Sequence, residues 1–268
     1  MRIAVTGGSG KLGSALIPYL ISKGHPVRNL DTRPPDAPLD GVETMQVDLT
    51  DPLAVLRAFE GCAAVIHLGA IPTPRLDPAY VVHNNNVLGG YNVLWAAAEL
   101  GIGRVCLASS INAIGGVYSR KPRYDYFPLD EDHPTYAEDP YSLSKWILEQ
   151  QGDAFARQYE QMRIASLRFH GLVTERAQMN GARADLAIKH LWGYTLLPSA
   201  ARACLLAVTA DFRGHHTLYI VAPDTSLSTP TGELLDAHYP GIPIRAPLPG
   251  NTGLFDSSKA ERILGWTH

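Results

Sequence analysis

The stretch TGGSGKLG, from Thr6 to Gly13, decides how the rest of the chain is interpreted. It lies between a short apolar run and a predicted helix, with glycines at Gly7, Gly10 and Gly13. This spacing allows a tight turn, close approach of a pyrophosphate to the backbone, and close packing of the helix on the strand. The N-terminus of the following helix attracts phosphate. The stretch therefore predicts a dinucleotide site, although a glycine turn before a helix also forms without a ligand.

An acidic residue stands where such a site needs one. The segment VRNLD ends in Asp31, at the end of the second predicted strand. Its distance from the glycine turn is close to the spacing of about 20 residues that the motif requires. A carboxylate there binds the hydroxyls of the adenosine ribose and repels a 2′-phosphate, which favours NAD over NADP. Arg33 could contact such a phosphate, but we interpret it as a solvated loop charge.

Composition narrows the class of protein. Of 268 residues, 46% are hydrophobic and 18% are charged, which is enough apolar material for a substantial core. The formal net charge of −3, without a basic block, argues against nucleic-acid binding and favours a small-molecule ligand. The separated cysteines Cys62, Cys106 and Cys204 predict neither a disulfide framework nor a zinc site. The first apolar run breaks at Thr6, so we expect a cytoplasmic protein without a membrane span.

Short apolar runs alternate with longer helical patterns through the first two-thirds of the chain. Asp51 and Pro52 supply a helix cap and a first helical residue, and Leu53, Leu56 and Phe59 follow at the spacing of one buried face. The strands hardly alternate in polarity, as expected for strands buried on both faces. The pattern predicts an α/β fold with a doubly wound parallel sheet of the Rossmann type. The predicted strands are 2–5, 27–30, 43–47, 64–68, 104–108 and 163–169, and the main helices are 14–22, 86–100 and 140–159.

The regular alternation ends near residue 170. Beyond it, proline and glycine cluster between Pro223 and Gly253. We therefore expect residues 1–170 to form the dinucleotide-binding domain. Residues 171–268 are expected to form a small substrate-binding portion, parts of which pack back on the core. The elements predicted there are a helix, a strand and a helix, at 198–210, 217–221 and 229–238.

Six further motifs follow the glycine turn in a fixed order. They are Asp48-Leu49, HLGA (67–70), NNVLGG (85–90), ASS (108–110), YSLSK (141–145) and SKAERILGW (258–266). On these motifs the sequence resembles the extended short-chain dehydrogenase/reductase family, in particular its NAD-dependent epimerase/dehydratase group, over nearly the whole chain. The segments HLGAIP and ASSIN are most similar to uronate dehydrogenases. The resemblance implies NAD as the cofactor and catalysis by the tyrosine and lysine of YSLSK.

The resemblance also assigns the cofactor site residue by residue. Asp48 and Leu49 are expected against the adenine, and residues 68–70 along the ribose and phosphates. Asn86 is expected to support the fourth strand or approach the cofactor, and it could equally cap a helix. The full expected set is Gly7, Gly10, Lys11, Leu12, Asp31, Asp48, Leu49, Leu68, Gly69, Ala70, Asn86, Ala108, Tyr141, Lys145 and Phe169.

A tyrosine and a lysine carry the expected proton chemistry. Tyr141 and Lys145 lie four residues apart on one predicted helix, so both side chains project from the same face. The ammonium is expected to lower the phenol pKa from about 10, which lets Tyr141 exchange a proton with a substrate hydroxyl or carbonyl. Tyr118 and Tyr136 have no lysine four residues on. The resemblance implies that Lys145 also holds the nicotinamide ribose.

A hydroxyl that orients the substrate oxygen is expected at the end of the fifth strand. The common family form has a serine or threonine, two variable residues and then Val-Tyr-Gly, whereas this chain has SSINAIGG at 109–116. Uronate dehydrogenases begin this loop with SSN and use the second serine. On that comparison we assign the catalytic role to Ser110, with Ile111 and Asn112 beside the substrate. We interpret Ser109 as the end of a buried strand.

The remaining substrate contacts are expected from charged and imidazole groups. His170 follows the sixth strand at the carboxyl edge, where open α/β sheets bind ligands. A sugar acid needs cationic or amide donors, and the candidates are Arg75, Arg176, Arg183 and Lys189. Of these, Arg183 and Lys189 join His170 in the predicted substrate site.

Two departures from the family pattern bear on the ligand. Residues 196–198 (Leu-Leu-Pro) stand where relatives often carry an acidic segment, which argues against a nucleotide-sugar and for a less polar substrate. His215 and His216 have no suitably spaced third ligand, so no metal site is predicted.

Three functional hypotheses follow. The first is an NAD-dependent oxidoreductase that interconverts a secondary alcohol and its carbonyl, in a sugar or sugar acid. The second is a nucleotide-sugar epimerase or dehydratase, although residues 111–113 lack the acidic pair typical of dehydratases. The third is an NAD-sensing protein without turnover. The resemblance further implies a homodimer, and the apolar segment 86–100 with Trp95 is consistent with such an interface.

Overall fold

A parallel β-sheet runs through the centre of the computed structural model, which describes residues 1–37, 40–179 and 184–268. The strands of the described residues are β1 Ile3–Thr6, β2 Val27–Asp31, β3 Glu43–Gln46, β4 Ala64–His67, β5 Arg104–Ser110, β6 Arg163–Phe169, β7 Leu172–Val173, β8 Thr195–Leu196 and β9 Gly214–Ile220. Seven of these form the main sheet in the order β3-β2-β1-β4-β5-β6-β9, with every neighbouring pair parallel. β7 and β8 pair separately.

Helices cover both faces of this sheet. They are α1 Lys11–Ser22, α2 Pro52–Phe59, α3 Ala79–Glu99, α4 Pro140–Gln158, α5 Ala184–Lys189, α6 Leu197–Thr209, α7 Thr231–His238 and α8 Ser258–Leu264. One hydrophobic cluster joins α1, α6 and α8 to one face, and a second joins α2, α3 and α4 to the other. This is a doubly wound α/β fold, so the predicted fold class is confirmed.

The central strand β1 shows why the sequence has this pattern. Its successive side chains Ile3, Ala4 and Val5 are all fully buried. Ile3 and Val5 point into the cluster with α1, and Ala4 points into the cluster with α3. Because both faces are covered, the strand needs apolar residues at every position and shows no alternation.

A capping aspartate fixes the start of α4. The Asp139 carboxylate accepts hydrogen bonds from the backbone N–H groups of Tyr141 and Ser142 at 3.0 and 2.9 Å, and Pro140 occupies the first helical position. Tyr141 therefore lies in the first turn of the helix, immediately beyond the end of the sheet.

Several predicted elements have different bounds in the structure; for example, the helix predicted at 14–22 begins at Lys11 and the strand predicted at 104–108 ends at Ser110. The helix predicted at 86–100 begins earlier, at Ala79, directly after Pro78. Asn86 therefore lies inside α3, and its interpretation as a helix cap is wrong. The strand predicted at 217–221 begins earlier, at Gly214, and joins the main sheet beside β6.

Residues after 170 contribute both to the main sheet and to a separate cluster. β9 completes the sheet, and α6 packs against α1. The helix α7 packs instead with the loop after β5, in an aromatic cluster that contains Tyr124, Phe127 and Trp192. The division into two domains at residue 170 stays a prediction. Among the described residues, no helix has the length and apolar character that a membrane crossing requires.

Candidate active site

A cleft of about 720 Å³ opens at the carboxyl edge of the sheet, beyond the ends of β1 and β4. The strand order reverses between these two strands, and ligands of open α/β sheets bind at such a point. We divide its lining into two halves. The cofactor half is formed by residues within 7–13, 31–33, 47–49 and 68–70, and the substrate half by residues within 71–77, 110–118 and 169–172 together with Asn85, Tyr141 and His190.

Backbone geometry requires glycine in the turn of the cofactor half. Gly7 has a φ of +68°, and a Cβ built on it would lie 2.6 Å from the backbone nitrogen of Gly69. A Cβ on Gly13 would overlap the backbone of Gly8. The helix α1 begins at Lys11, and the first N–H groups of a helix have no intrahelical partner. This turn therefore fits a pyrophosphate.

Asp31 stands at the end of β2 within the same half. Its carboxylate accepts hydrogen bonds from the backbone N–H of Ser9 at 3.0 Å and from that of Arg33 at 3.2 Å. The acid is thus tied to the glycine turn at the position that an adenosine ribose requires. Arg33 also lines the cleft, with an exposed side chain. Together with the glycine cradle, Asp31 fits a dinucleotide.

Tyr141 and Lys145 reach the cleft from the first turns of α4. The Lys145 ammonium donates a hydrogen bond to the carbonyl oxygen of Ala108 at 2.7 Å and lies 5.8 Å from the centre of the Tyr141 ring. Burial lowers the pKa of Lys145 from 10.5 to about 8. Burial raises the pKa of Tyr141, opposed by a hydrogen bond with Ser110. The direction for Tyr141 is opposite to the expected one, because desolvation of the phenolate dominates.

Ser110 ends β5 with its hydroxyl directed into a local network. Its oxygen accepts hydrogen bonds from the backbone N–H of Asn112 at 3.1 Å and from the Asn112 side-chain amide at 3.3 Å. The Asn112 amide oxygen in turn accepts from the backbone N–H of Val117 at 3.0 Å. Since these bonds use the oxygen of Ser110 as an acceptor, its O–H remains a donor, and the hydrogen bond that Ser110 shares with Tyr141 brings the two hydroxyls together.

A buried ionic network lies behind these residues, and the sequence patterns did not reveal it. The Glu149 carboxylate accepts from the Ser109 hydroxyl at 2.5 Å and from Nε and Nη2 of Arg168 at 2.9 and 2.8 Å. Arg168 also donates to the hydroxyl of Tyr219 at 3.2 Å. Glu149 and Arg168 are both almost fully buried. The network therefore ties α4 to β5, β6 and β9 next to Ser110.

The side chain of Asn86 is hydrogen-bonded to the loop after β4 and does not line the cleft. Its side chain accepts from the backbone N–H of Ile71 at 2.8 Å, and donates to the Ile71 carbonyl and to the Ser144 hydroxyl at 3.1 Å each. It thus joins that loop to the helix that carries Tyr141. The neighbouring Asn85 lines the cleft instead.

His170 lines the cleft, but both of its ring nitrogens have partners within the protein. Nδ1 accepts from the backbone N–H of Gly171 at 2.6 Å, so the ring proton is on Nε2, which donates to the carbonyl of His190 at 2.8 Å. Burial lowers the pKa of His170 to about 3, which keeps it neutral. The ring therefore has little hydrogen-bonding capacity left for a substrate.

The predicted cations do not gather in the cleft. The Lys189 ammonium donates to two backbone carbonyls in the loop after β5, at 2.7 and 3.2 Å. Arg176 pairs with Asp224 at 3.0 Å, and Arg75 lies beside an aromatic ring that lines the cleft. None of these three lines the cleft itself. Arg183 lies outside the described residues.

Most of the other predicted residues do meet there. From the cofactor set, every member except Asn86 lines the cleft, and so do Ser110, Ile111, Asn112 and His170 from the substrate set. Lining residues that we did not assign to the site from the sequence include Leu30, Thr32, Val47, Ile71, Pro72, Leu76, Asp77, Asn85, Ser109, Tyr118, Gly171, Leu172 and His190. Ile71 and Pro72 belong to HLGAIP and could have been inferred from that motif. His190 has no comparable signal.

A doubly wound sheet, a glycine turn at its switch point and a tyrosine–lysine pair on the helix after β5 define a dinucleotide-binding oxidoreductase of the α/β class. Residues 3–191 match the model of the NAD dependent epimerase/dehydratase family, and the chain belongs to that family. The resemblance found in the sequence motifs is thereby confirmed, and so is NAD as the cofactor of the family.

Curated relatives of this chain include both reductases and epimerases. The 2-alkyl-3-oxoalkanoate reductase of Stenotrophomonas maltophilia is 36% identical over 154 residues, which are 56% of this chain and 45% of the relative. The uronate dehydrogenase of Agrobacterium fabrum is 32% identical over 162 residues, 59% of this chain and 55% of the relative. The putative UDP-glucose 4-epimerase of Methanocaldococcus jannaschii is 30% identical over 196 residues, 69% and 61% respectively. The matched regions thus span about half of these relatives.

Solved structures share the fold over the whole chain. A short-chain dehydrogenase/reductase superfamily protein from Agrobacterium tumefaciens, with bound NAD, has a TM-score of 0.73 at 25% identity and covers 99% of this chain and 92% of its own. The glucuronic acid dehydrogenase of Chromohalobacter salexigens has a TM-score of 0.73 at 24% identity, with 99% and 83% coverage.

Proposed function

We propose that the protein is an NAD-dependent dehydrogenase that interconverts a secondary alcohol and its carbonyl in a sugar or sugar acid. The observation that carries the proposal is that Tyr141, Lys145 and Ser110 line one cleft together with the glycine turn. A proton donor or acceptor and a hydroxyl that can donate to the substrate oxygen therefore share a space with a turn that fits a pyrophosphate.

Each of the three residues has a separate role in this proposal. Ser110 donates a hydrogen bond to the reacting oxygen and holds the alcohol in place. Tyr141 removes the proton of that alcohol, or returns it in the reverse direction. Lys145, positively charged below a pH of about 8, favours the phenolate of Tyr141 and binds the nicotinamide ribose. NAD, when bound, supplies the hydride acceptor.

The raised pKa of Tyr141 bears on the direction of the reaction. Because burial favours the protonated phenol, Tyr141 keeps its proton at neutral pH before ligands bind. A protonated tyrosine suits donation to a carbonyl, whereas oxidation of an alcohol requires the phenolate. We therefore expect oxidation to gain more than reduction from alkaline pH.

The substrate half supports a hydroxylated ligand more than a nucleotide-sugar. Besides Ser110, Tyr141 and His170, its polar groups are the carboxylate of Asp77, the amides of Asn85 and Asn112, the hydroxyl of Tyr118 and the imidazole of His190, and groups of these kinds bind hydroxyls. The names of the relatives do not separate dehydrogenase from epimerase, so the alternative of a nucleotide-sugar epimerase needs a direct test.

Absorbance of NADH gives that test. The purified protein is incubated with NAD and, in turn, D-glucose, D-galactose, D-glucuronate, D-galacturonate and UDP-glucose. We expect steady accumulation of NADH with at least one free sugar or sugar acid. An isomerised product without net NADH would support the epimerase. NAD binding without turnover of any compound, and without any effect of Tyr141→Phe, would support a sensor.

We also propose that the protein forms a homodimer through α3 and α4. On α3, Leu88 and Tyr91 are large hydrophobic residues that are about half exposed, and the ring of Tyr91 packs on Phe155 of α4. These residues would give the two helices a shared apolar surface. Light scattering at micromolar concentration tests this, and a monomer would contradict it. The cytoplasmic location stays a prediction.

A further inference from the structure

His190 forms part of the wall of the substrate half, immediately after α5. Its Nδ1 is shielded from solvent and has no hydrogen-bond partner. Nε2 has no hydrogen-bond partner within the described residues either, and it is not among the shielded atoms. A ligand in the cleft that holds Tyr141 can therefore reach Nε2, which is free to donate or accept a hydrogen bond there.

Nδ1 of His25 is likewise shielded without a partner in the described part of the chain, but several other histidines are hydrogen-bonded within the protein. His67 bonds to the hydroxyl of a threonine at 2.8 Å, and His133 bonds to backbone groups at 3.0 and 2.8 Å. His215 bonds to a serine and an aspartate at 2.8 and 2.7 Å. His170, which also lines the cleft, uses both ring nitrogens within the protein. His190 therefore differs from its neighbour in the same cleft, and its accessible, unpaired Nε2 points to a ligand.

The backbone around His190 holds it in place at some energetic cost. Leu191 and Trp192 follow it directly, both buried, with φ values of +56° and +52°. Bulky residues rarely adopt this left-handed conformation, which is strained and persists where the surrounding structure holds it in place. The carbonyl of His190 is fixed by His170, and the carbonyl of Trp192 accepts from the backbone N–H of Ser226 at 2.7 Å. The strained turn thus determines where the imidazole lies.

The charge state of His190 decides which groups it can bind. Burial lowers its pKa to about 4, so the ring is neutral at physiological pH. A neutral imidazole offers one donor and one acceptor, as a hydroxyl does. A carboxylate would instead favour a cation. The chemistry therefore matches an uncharged hydroxyl group.

We propose that His190 is a specificity-determining residue that binds a hydroxyl of the substrate other than the one that is oxidised. The inference rests on the proposed function, since it assumes a hydroxylated substrate that reacts at Tyr141. It adds a contact in the substrate half besides those of the catalytic residues, which would select among hydroxylated substrates by the position of their hydroxyl groups.

The test couples a change in the protein to a change in the substrate. The sugar or sugar acid that gives NADH in the panel is compared with its monodeoxy analogues, in the wild-type protein and in His190→Phe. In the wild type, one analogue should be a poorer substrate than the parent by about tenfold in kcat/KM, the loss of one good hydrogen bond. In His190→Phe the parent should fall to the level of that analogue, while the ratios for the other analogues stay unchanged.

Two further variants separate this role from a structural one. His190→Asn and His190→Gln each keep an amide near one of the two ring nitrogens, and one of them should restore the discrimination. His238→Phe is the matched control, because this exposed histidine packs on the outer side of Trp192, with ring centres 5.6 Å apart. It should leave all ratios as in the wild type.

The possible failures are distinguishable. Equal loss with the parent and every analogue in His190→Phe, or no change at all, would overturn the role of His190 and leave the proposed function intact. Absence of NADH formation with every free sugar and sugar acid in the wild type would overturn the proposed function and this inference together.

Discussion

In the cofactor half of the cleft, the turn at Gly7 and the acid at Asp31 belong to one short segment of chain, whereas the substrate half brings together Asn112, Tyr141 and His190 from three separate segments. The first is built from backbone: a glycine that no other residue can replace, and a carboxylate held by backbone N–H groups. The second is built from side chains on loops and helix ends. A backbone cradle fits a constant cofactor, and exchangeable side chains allow one fold to accept many substrates.

This difference predicts that changes in the two halves have separable consequences. A side chain lost from the substrate half should impair turnover while the cofactor still binds. A change in the cofactor half should alter the affinity for the dinucleotide while the chemical step is kept. A change in the buried ionic network of Ser109, Glu149, Arg168 and Tyr219, which lies behind Ser110, should lower the stability of the fold.

The largest effect is expected from Tyr141→Phe, which removes the proton donor and acceptor of the substrate half. The kcat for the sugar or sugar acid should fall by about 10²–10⁴-fold, the usual contribution of general acid–base catalysis. The affinity for NAD, measured by calorimetry, should change little because the cofactor half is intact. Tyr136→Phe is the control, since that hydroxyl bonds to Asp125 at 2.7 Å and lies outside the cleft. Loss of NAD binding in Tyr141→Phe would remove the separation of the halves.

The next effect concerns the buried ionic network behind Ser110, which Glu149→Gln disrupts. The change leaves the buried guanidinium of Arg168 without its counter-charge, so the free energy of unfolding should fall by about 3–5 kcal/mol. Denaturant titration measures it. Asp211→Asn is the control, because it removes an ion pair with Arg163 in which the aspartate side chain is 90% exposed, and it should cost less than about 1 kcal/mol. A similar small loss in both variants would show that the buried pair does not support the site.

The two halves also differ in how far the sequence determined them. Residues of the glycine turn and Asp31 are predictable because each is required by backbone geometry or ligand chemistry at a short, fixed spacing. The buried ion pair of Glu149 and Arg168 could not be predicted in this way. In the sequence both are ordinary charged residues, and only the fold brings them together by placing α4 beside β6. Lys189 was assigned to the substrate, but its ammonium reaches carbonyls about 70 residues away in the chain. No sequence feature near His170 or His190 shows which of the two imidazoles has no hydrogen-bond partner within the described part of the folded protein.

A third effect follows from Lys145, which lines the cleft and lies beside Tyr141. Its pKa in the folded protein, about 8, lies below its ordinary value of 10.5. Between these pH values the unfolded chain binds more protons, so stability rises with pH. The cost of burying the charge is fully present below pH 8 and absent above about pH 10.5, and it amounts to about 3 kcal/mol.

Denaturant titration without cofactor, at pH 7 and at pH 10, measures this cost. Lys145→Met removes the charge, so the difference in unfolding free energy between the wild type and this variant should shift in favour of the wild type at pH 10. Lys121→Met removes an exposed lysine and should show no such shift. A difference for Lys145→Met that does not change with pH would mean that the ammonium is well solvated in the folded protein.

The smallest effect is expected from Asp31→Asn in the cofactor half. The amide keeps one oxygen for the backbone N–H of Ser9, so the turn should survive, but the charge that binds the ribose hydroxyls is lost. The KM for NAD should rise by about tenfold, in the range of a hydrogen bond to a charged group, while kcat stays near the wild-type value. Activity with NADP should improve relative to NAD, because the repulsion of the 2′-phosphate is removed and Arg33 lies beside it in the cleft. A fall in kcat without a change in KM would contradict the assignment, since it would tie Asp31 to the chemical step and not to cofactor binding.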